Sequence, residues 1–101
     1  MNIGFSTGEP DISVILPVIN EQAQVNLSLE RLRKSHFSGS LEIIVADGHP
    51  DRTTLSAVKD PETVLVSARA GRGNQMNAGA GMARGRILLF LHCDTRLPEK
   101  G

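Results

Sequence analysis

Aromatic residues, cysteine and net charge are scarce in this sequence of 101 residues. It has no tryptophan, no tyrosine and three phenylalanines, so any core must be built from aliphatic side chains. Its single cysteine, Cys93, cannot form an internal disulfide, which is typical of a reducing compartment. Eleven acidic residues balance eleven basic ones, and this balance provides no electrostatic footprint for nucleic acid or an anionic membrane surface.

Long hydrophobic runs are missing as well. The longest, Ile87 to Leu91, is far shorter than the roughly 20 residues of a membrane-spanning helix. Residues 1–10 are polar and lack the basic region and apolar stretch of a signal peptide, so we interpret them as a flexible tail. We therefore expect a soluble, cytoplasmic chain in which residues 11–101 form a single domain.

Four short runs of aliphatic and β-branched residues predict strands. They are nearly all apolar, as is typical of parallel strands buried on both faces. The runs are Ile12 to Leu16, Leu41 to Ala46, Thr63 to Val66 and Ile87 to Leu91. We expect Pro17 to end the first strand and Asp47-Gly48 to end the second.

Two helices are predicted between the first three strands. The first has Asn20 as its expected N-cap and an apolar face of helical spacing. That face comprises Val25, Leu29, Leu32 and His36. Asp51 is a candidate N-cap for a short second helix that reaches about Val58.

A third helix, from about Asn74 to Arg84, is rich in small residues and is ended by Gly85. Glycine lowers the stability of a helix by up to about 1 kcal/mol relative to alanine. We therefore expect Gly79 and Gly81 to mark places where this helix packs closely on another element.

The resulting order β-α-β-α-β-α-β predicts an α/β fold with a doubly wound, mainly parallel sheet. Ligands bind such sheets at the carboxyl ends of the strands, where the strand order reverses. The segments expected at that edge are Pro17 to Glu21, Asp47 to Asp51, Ser67 to Gly73 and His92 to Thr95. Functional residues should therefore lie in these segments.

Four motifs occur in order at these strand ends. Residues 14–21 read Val-Ile-Leu-Pro-Val-Ile-Asn-Glu, residues 43–48 Ile-Ile-Val-Ala-Asp-Gly, residues 71–79 Gly-Arg-Gly-Asn-Gln-Met-Asn-Ala-Gly, and residues 87–95 Ile-Leu-Leu-Phe-Leu-His-Cys-Asp-Thr. Together they resemble the strand motifs of glycosyltransferase family 2, the last one resembling its Asp-x-Asp motif. The resemblance spans about Asp11 to Pro98.

Two departures from the family pattern narrow the resemblance. His92 stands where the family has the first aspartate of Asp-x-Asp, and His49-Pro50 follows Gly48 in place of the usual continuation. The His-x-Asp form, with Gly-Arg-Gly-x-Gln-Met-Asn upstream, resembles the bacterial subgroup called radical-SAM/selenodomain-associated transferase 2.

The resemblance implies that residues 11–101 form the nucleotide-sugar-binding half of a GT-A domain, Rossmann-like, with strand order 3-2-1-4. It implies inverting transfer of a sugar from a nucleotide-diphosphate donor, with a UDP-sugar expected, to an acceptor that stays unknown. The general base lies in the family's second half, so we expect this chain alone to transfer nothing. A non-catalytic nucleotide-binding or assembly module is the alternative.

The last motif supplies the candidate metal ligands. Asp94 is expected to bind Mn²⁺ or Mg²⁺, which would bridge the phosphates and stabilise the leaving diphosphate. His92 is either a second ligand, a phosphate contact or a group that only supports the site. Structural zinc needs four ligands, and with no second cysteine in the chain we expect Cys93 in the core.

The first motifs supply the candidate nucleotide contacts. In the family the position of Asp47 binds the uridine; a turn residue before Gly48 is the alternative. Pro17, Asn20 and Glu21 would shape the loop against the base, although Glu21 could equally serve a helix dipole.

Arg72 would reach the base or the diphosphate, because guanidinium suits phosphate geometry, and Arg69 competes for this role. A half-domain that ends soon after its fourth strand would also leave a sheet edge exposed. Such edges pair with other chains, so we expect marginal stability or self-association.

Overall fold

The computed structural model describes residues 9–35 and 40–93. Its elements are β1 (Ile12–Val18), α1 (Val25–Arg33), β2 (Leu41–Asp47), α2 (Thr53–Ala57), β3 (Val64–Ser67), α3 (Arg72–Met82) and β4 (Ile87–Phe90). Most of the predicted tail lies outside the described residues, as do His36 and Asp94.

The four strands of the described chain form one parallel sheet in the order β3-β2-β1-β4. This confirms the predicted α/β class and strand order. β1 pairs with β2 over its whole length, from Ile12↔Leu41 to Val18↔Asp47. Because all four strands run in the same direction, their carboxyl ends share one edge of the sheet.

β1 continues through Pro17, which was predicted to end it. Proline lacks the backbone N–H that a central strand normally uses. The backbone groups of Ile15 and Pro17, two residues apart, point toward the same neighbouring strand, which is β4. The Ile15 carbonyl accepts a hydrogen bond from the Leu91 N–H at 3.1 Å, and β4 pairs no further than Ile15↔Phe90. The position of the missing N–H therefore lies past the end of β4, where no ladder bond is lost.

α1 begins at Val25, so the prediction that Asn20 is its N-cap is wrong. Asn20 has a left-handed backbone with φ 55°, and residues 22–24 form a turn before the helix. The Glu21 carbonyl accepts the N–H groups of both Gln24 and Val25 at 2.9 Å. The apolar face of the helix, as far as it is described, is buried as predicted.

The main core lies between α1 and one face of the sheet. Its buried members are Val14, Leu16, Val18, Val25, Leu29, Leu32, Ile43, Val45 and Cys93. Cys93 is 1% exposed, which confirms its prediction as a core residue. The core is aliphatic, in keeping with the composition.

α3 packs against β1, and its glycines differ in their surroundings. A Cβ at Gly79 would collide with Cγ2 of Ile15, which confirms close packing there. Nothing lies within 4 Å of a Cβ at Gly81, so that part of the prediction is wrong. Gly85 does not end the helix, which stops at Met82. A Cβ at Gly85 would lie 2.6 Å from the backbone nitrogen of Ser13.

β4 is exposed, although its apolar sequence predicted a buried strand. Ile87 is 59% exposed, and the other three residues are 41–43% exposed. Since successive residues of a strand point to opposite faces, both faces of β4 are open. The physical reason is its position at the edge of the sheet, where the described residues cover neither face.

Candidate functional site

A cavity of about 280 Å³ lies at the carboxyl end of β1. It is lined by Pro17, Val18, Ile19, Glu21, Gly71, Arg72, Gln75 and His92. Four of these were predicted as site residues from the sequence: Pro17, Glu21, Arg72 and His92. The fold therefore brings the ends of three separate segments into one concave site.

Arg72 is the first residue of α3, directly after Gly71. Gly71 has φ 126°, a backbone conformation that side chains other than glycine rarely adopt, and this sets the direction in which α3 leaves the loop. The first N–H groups of a helix have no partner within the helix and carry partial positive charge. Arg72 adds a full positive charge beside them, whereas its competitor Arg69 does not line the cavity.

Glu21 is fixed by its backbone. Its N–H donates to Oγ1 of Thr54 at 2.9 Å, which ties the loop after β1 to α2. Because α1 begins only at Val25 and has no acidic residue in its first turn, the helix-dipole role for Glu21 is not supported. Glu21 is instead one of the residues that line the cavity.

His92 follows β4 and is exposed at the same cavity. The adjacent Leu91 N–H is bonded to the Ile15 carbonyl, so the segment leaves the sheet beside the end of β1. His92 and Glu21, which carry an imidazole and a carboxylate, therefore both line this cavity.

Asp47 is fully buried and does not line the cavity. Its Oδ1 accepts the His49 N–H at 2.9 Å, and its Oδ2 accepts the N–H groups of Thr54 and Leu55 at 3.0 and 3.1 Å. These last two bonds cap α2 from a distant position, so Asp51 is not its cap. These bonds are those of a turn-forming residue, the alternative that the sequence left open beside a contact to uridine.

Gly48 and Asn20 also lie outside the cavity lining. A Cβ at Gly48 would lie 2.8 Å from Cδ of Gln75, so a larger residue there would displace the Gln75 side chain. Asn20 is exposed, and its Oδ1 is 3.5 Å from Oγ1 of Thr53, at the limit for a hydrogen bond.

Gln75 was missed by the sequence analysis as a site residue. It is 3% exposed and lines the cavity. Its Nε2 donates to the carbonyls of Val18 and Ala46 at 2.9 and 3.0 Å, and its Oε1 accepts the Gly71 N–H at 3.2 Å. A long amide side chain one turn into a helix that starts in a binding loop is the signal that could have identified it.

A family model described as glycosyl transferase family 2 matches residues 13–100, nearly the whole chain. The chain belongs to glycosyltransferase family 2. This confirms the resemblance found in the four strand-end motifs. No curated protein matches the chain as a relative.

Among solved structures of similar fold is the mannosyltransferase PcManGT from Pyrobaculum calidifontis, in complex with GDP-Man and Mn²⁺. The TM-score is 0.74 at 25% sequence identity. The match covers 91% of this family 2 chain and 30% of that mannosyltransferase, so the chain spans less than a third of its length.

Within residues 9–35 and 40–93, no three His, Cys, Asp or Glu side chains form a cluster able to hold a metal ion. The predicted ligand Asp94 lies outside those residues. Carboxylate oxygen and imidazole nitrogen, the groups that Glu21 and His92 carry, are donor types that suit Mn²⁺.

Another cavity, of about 340 Å³, lies between α1 and the connection from α2 to β3. It is bordered by the ion pair between Arg33 and Asp60, 2.7 Å from Nε to Oδ2. None of the predicted site residues lines it.

No helix in the described part of the chain is long and apolar enough to cross a membrane.

Proposed function

We propose that this chain is the donor-binding half of a metal-dependent, inverting glycosyltransferase. The observation that carries the proposal is the cavity in which Pro17, Glu21, Arg72 and His92 meet at the carboxyl end of the sheet. Family 2 membership supports sugar transfer as the reaction of the whole enzyme.

The two sides of the cavity suit the two ends of a nucleotide. Pro17, Val18 and Ile19 offer an apolar wall for the base. Arg72 and the first turn of α3 offer positive charge and N–H donors for the diphosphate. At about 280 Å³ the cavity falls just below the range of about 300–1,000 Å³ usual for small-molecule sites, so it would hold part of the donor.

Asp94 and His92 are the residues that we propose to hold Mn²⁺ or Mg²⁺. When bound, such a cation neutralises charge on the departing diphosphate. His92 already lies at the cavity, beside the wall that Arg72 provides. The Mn²⁺ in the similar mannosyltransferase supports this choice of ion.

The donor is proposed to be a UDP-sugar. GDP-mannose is the competitor to be tested beside it, because the similar mannosyltransferase binds it. Asp47 would act on the base side by shaping the 47–55 loop, since its carboxylate is engaged by three backbone N–H groups. Membership of the radical-SAM/selenodomain-associated subgroup and a cytoplasmic location belong to the same proposal.

We place the general base and the acceptor site outside these 101 residues. The isolated chain would then bind the donor and transfer nothing. The alternative is a nucleotide-binding or assembly module without chemistry. It predicts that a protein with further residues beyond these 101 would also transfer no sugar.

Titration calorimetry with UDP, UDP-glucose and GDP-mannose, with and without MnCl₂, tests the proposal. We expect saturable binding of one nucleotide class that tightens with Mn²⁺. Absence of binding for all three at millimolar concentration with Mn²⁺ present would refute the donor-site assignment.

A further inference from the structure

Gln75 is a buried polar side chain beneath the donor cavity. It is 3% exposed, yet it is one of the residues that line the cavity. A buried amide is costly unless its donors and acceptor are all used. Its partners therefore show what the side chain holds in place.

The three partners of Gln75 belong to three different segments. Val18 is the last residue of β1, Ala46 lies next to the end of β2, and Gly71 precedes α3. Both N–H bonds of the side-chain amide go to carbonyl oxygens, and the amide oxygen accepts an N–H. The orientation of the amide is thus fixed by chemistry, because only its NH₂ group can donate to a carbonyl.

The loop after β2 is also shaped around this amide. A Cβ at Gly48 would lie 2.8 Å from both Cδ and Oε1 of Gln75 and 3.1 Å from the Ala70 Cα, so a side chain there would displace the Gln75 amide. The Gly48 N–H in turn donates to the Val18 carbonyl at 3.0 Å, the same oxygen that Gln75 uses. Gln75 and Gly48 therefore form one packed unit at the ends of β1 and β2.

We propose that Gln75 is a positioning residue that pre-forms the donor cavity. It ties the wall at Val18, on the base side, to the wall at Gly71 and Arg72, on the phosphate side. A cavity held at its bound width loses less conformational freedom when the ligand binds, so its affinity is higher. This inference rests on the donor-binding function proposed above.

Two substitutions separate this role from simple packing. Gln75→Met keeps the length of the side chain and removes all three hydrogen bonds. Gln75→Glu keeps the shape but places a carboxylate against two carbonyl oxygens. Asn77→Asp, on an exposed position of the same helix, is the control for the added charge.

Nucleotide affinity is measured by calorimetry, with Mn²⁺, at a temperature where circular dichroism shows every variant to be folded. The probe is whichever of UDP, UDP-glucose or GDP-mannose binds the unmodified chain most tightly. We expect Gln75→Met to weaken binding about tenfold, Gln75→Glu to weaken it more, and Asn77→Asp to leave it within about twofold.

Amide hydrogen exchange, followed by NMR without ligand, reports directly on the segments that the Gln75 hydrogen bonds hold together. In Gln75→Met we expect faster exchange at the Gly71 and Gly48 amides and unchanged protection at Ile43 to Val45 in the centre of β2. Uniformly faster exchange, with unchanged nucleotide affinity in the folded variant, would show that Gln75 is only a packing residue.

The donor-binding function and the positioning role of Gln75 can be refuted separately. If the unmodified chain binds none of the three nucleotides, the donor-binding function fails and the positioning role falls with it. If the unmodified chain binds and Gln75→Met binds equally well, only the positioning role is overturned.

Discussion

The Cγ2 methyl of Ile15 occupies the space that a side chain at Gly79 would need. Ile15 is fully buried in β1, which pairs with β2 on one side and with β4 on the other. The glycine lets α3 approach β1 closely, and α3 carries Arg72 and Gln75 at its other end. Packing in the middle of α3 therefore fixes where the cavity wall stands.

Gly79→Ala is expected to destabilise the protein despite the better helix propensity of alanine. Forcing a methyl group into a packed core costs about 1–3 kcal/mol, against a gain of about 1 kcal/mol from propensity. Gly81→Ala is the matched control, since its Cβ would meet open space, and should be stabilising. Urea unfolding curves of the two variants check this, and equal midpoints would contradict the packing seen here.

Asp47→Ala should destabilise the protein by about 1–3 kcal/mol, because it leaves backbone N–H groups of α2 and the preceding turn without an acceptor. Asp51→Ala, on an exposed neighbour, should change the free energy of unfolding by less than about 0.5 kcal/mol. Chemical denaturation measures both. Should Asp47→Ala abolish UDP binding while leaving stability intact, Asp47 would be a base contact and not a cap.

Arg72→Ala is expected to weaken nucleotide binding by about tenfold or more, since hydrogen bonds to charged groups contribute about 1.5–3 kcal/mol. Arg69→Ala removes the same charge from a residue outside the cavity lining and should have little effect. Calorimetric titration at two salt concentrations gives the comparison. The reverse order of effects would move the diphosphate to Arg69.

The free energy of unfolding should decrease in acid because the Glu42 carboxylate becomes protonated. Burial raises the pKa of this carboxyl, but hydrogen bonds from the Ser13 hydroxyl at 2.6 Å and from the Arg84 backbone and guanidinium outweigh it, so the pKa is lowered from 4.5. A lowered folded-state pKa contributes stability above the unfolded pKa, and that contribution is lost as pH falls through the folded value.

Unfolding free energies measured between neutral pH and pH 3 test this prediction. Glu42→Gln should be less stable at neutral pH and should show a shallower decline in acid than the unmodified chain. Asp60, whose pKa is lowered chiefly by the hydrogen bond from Arg33, contributes in the same direction and remains in both proteins. Parallel pH profiles would remove Glu42 as a source of the decline.

Self-association through β4 is expected for the isolated chain. Its four apolar residues are exposed, and no other strand of the described residues pairs with its outer edge. Such an edge strand is a template for pairing with another chain. Leu89→Lys should shift sedimentation toward monomer, whereas Leu27→Lys, on a similarly exposed position of α1, should not. A chain that is monomeric at all concentrations would contradict this expectation.

The sequence predicted the sheet well because its strands are short apolar runs separated by glycine and aspartate. It failed at places where distant residues decide the local structure. Asp47 caps α2 across several intervening residues, and the left-handed Asn20 delays α1 by one turn. The role of Gln75 depends on carbonyls at the ends of two other strands, which no local pattern contains.

The cavity is built from three segments that are distant in sequence: Pro17, Gly71 and His92 meet only when β1 and β4 are paired and α3 is docked. A ligand that binds there has no counterpart site in the unfolded chain. When the free ligand concentration is a hundred times the dissociation constant, binding should therefore add about 2.7 kcal/mol to the free energy of unfolding. Melting temperature thus becomes a direct assay of donor identity, requiring neither acceptor nor turnover.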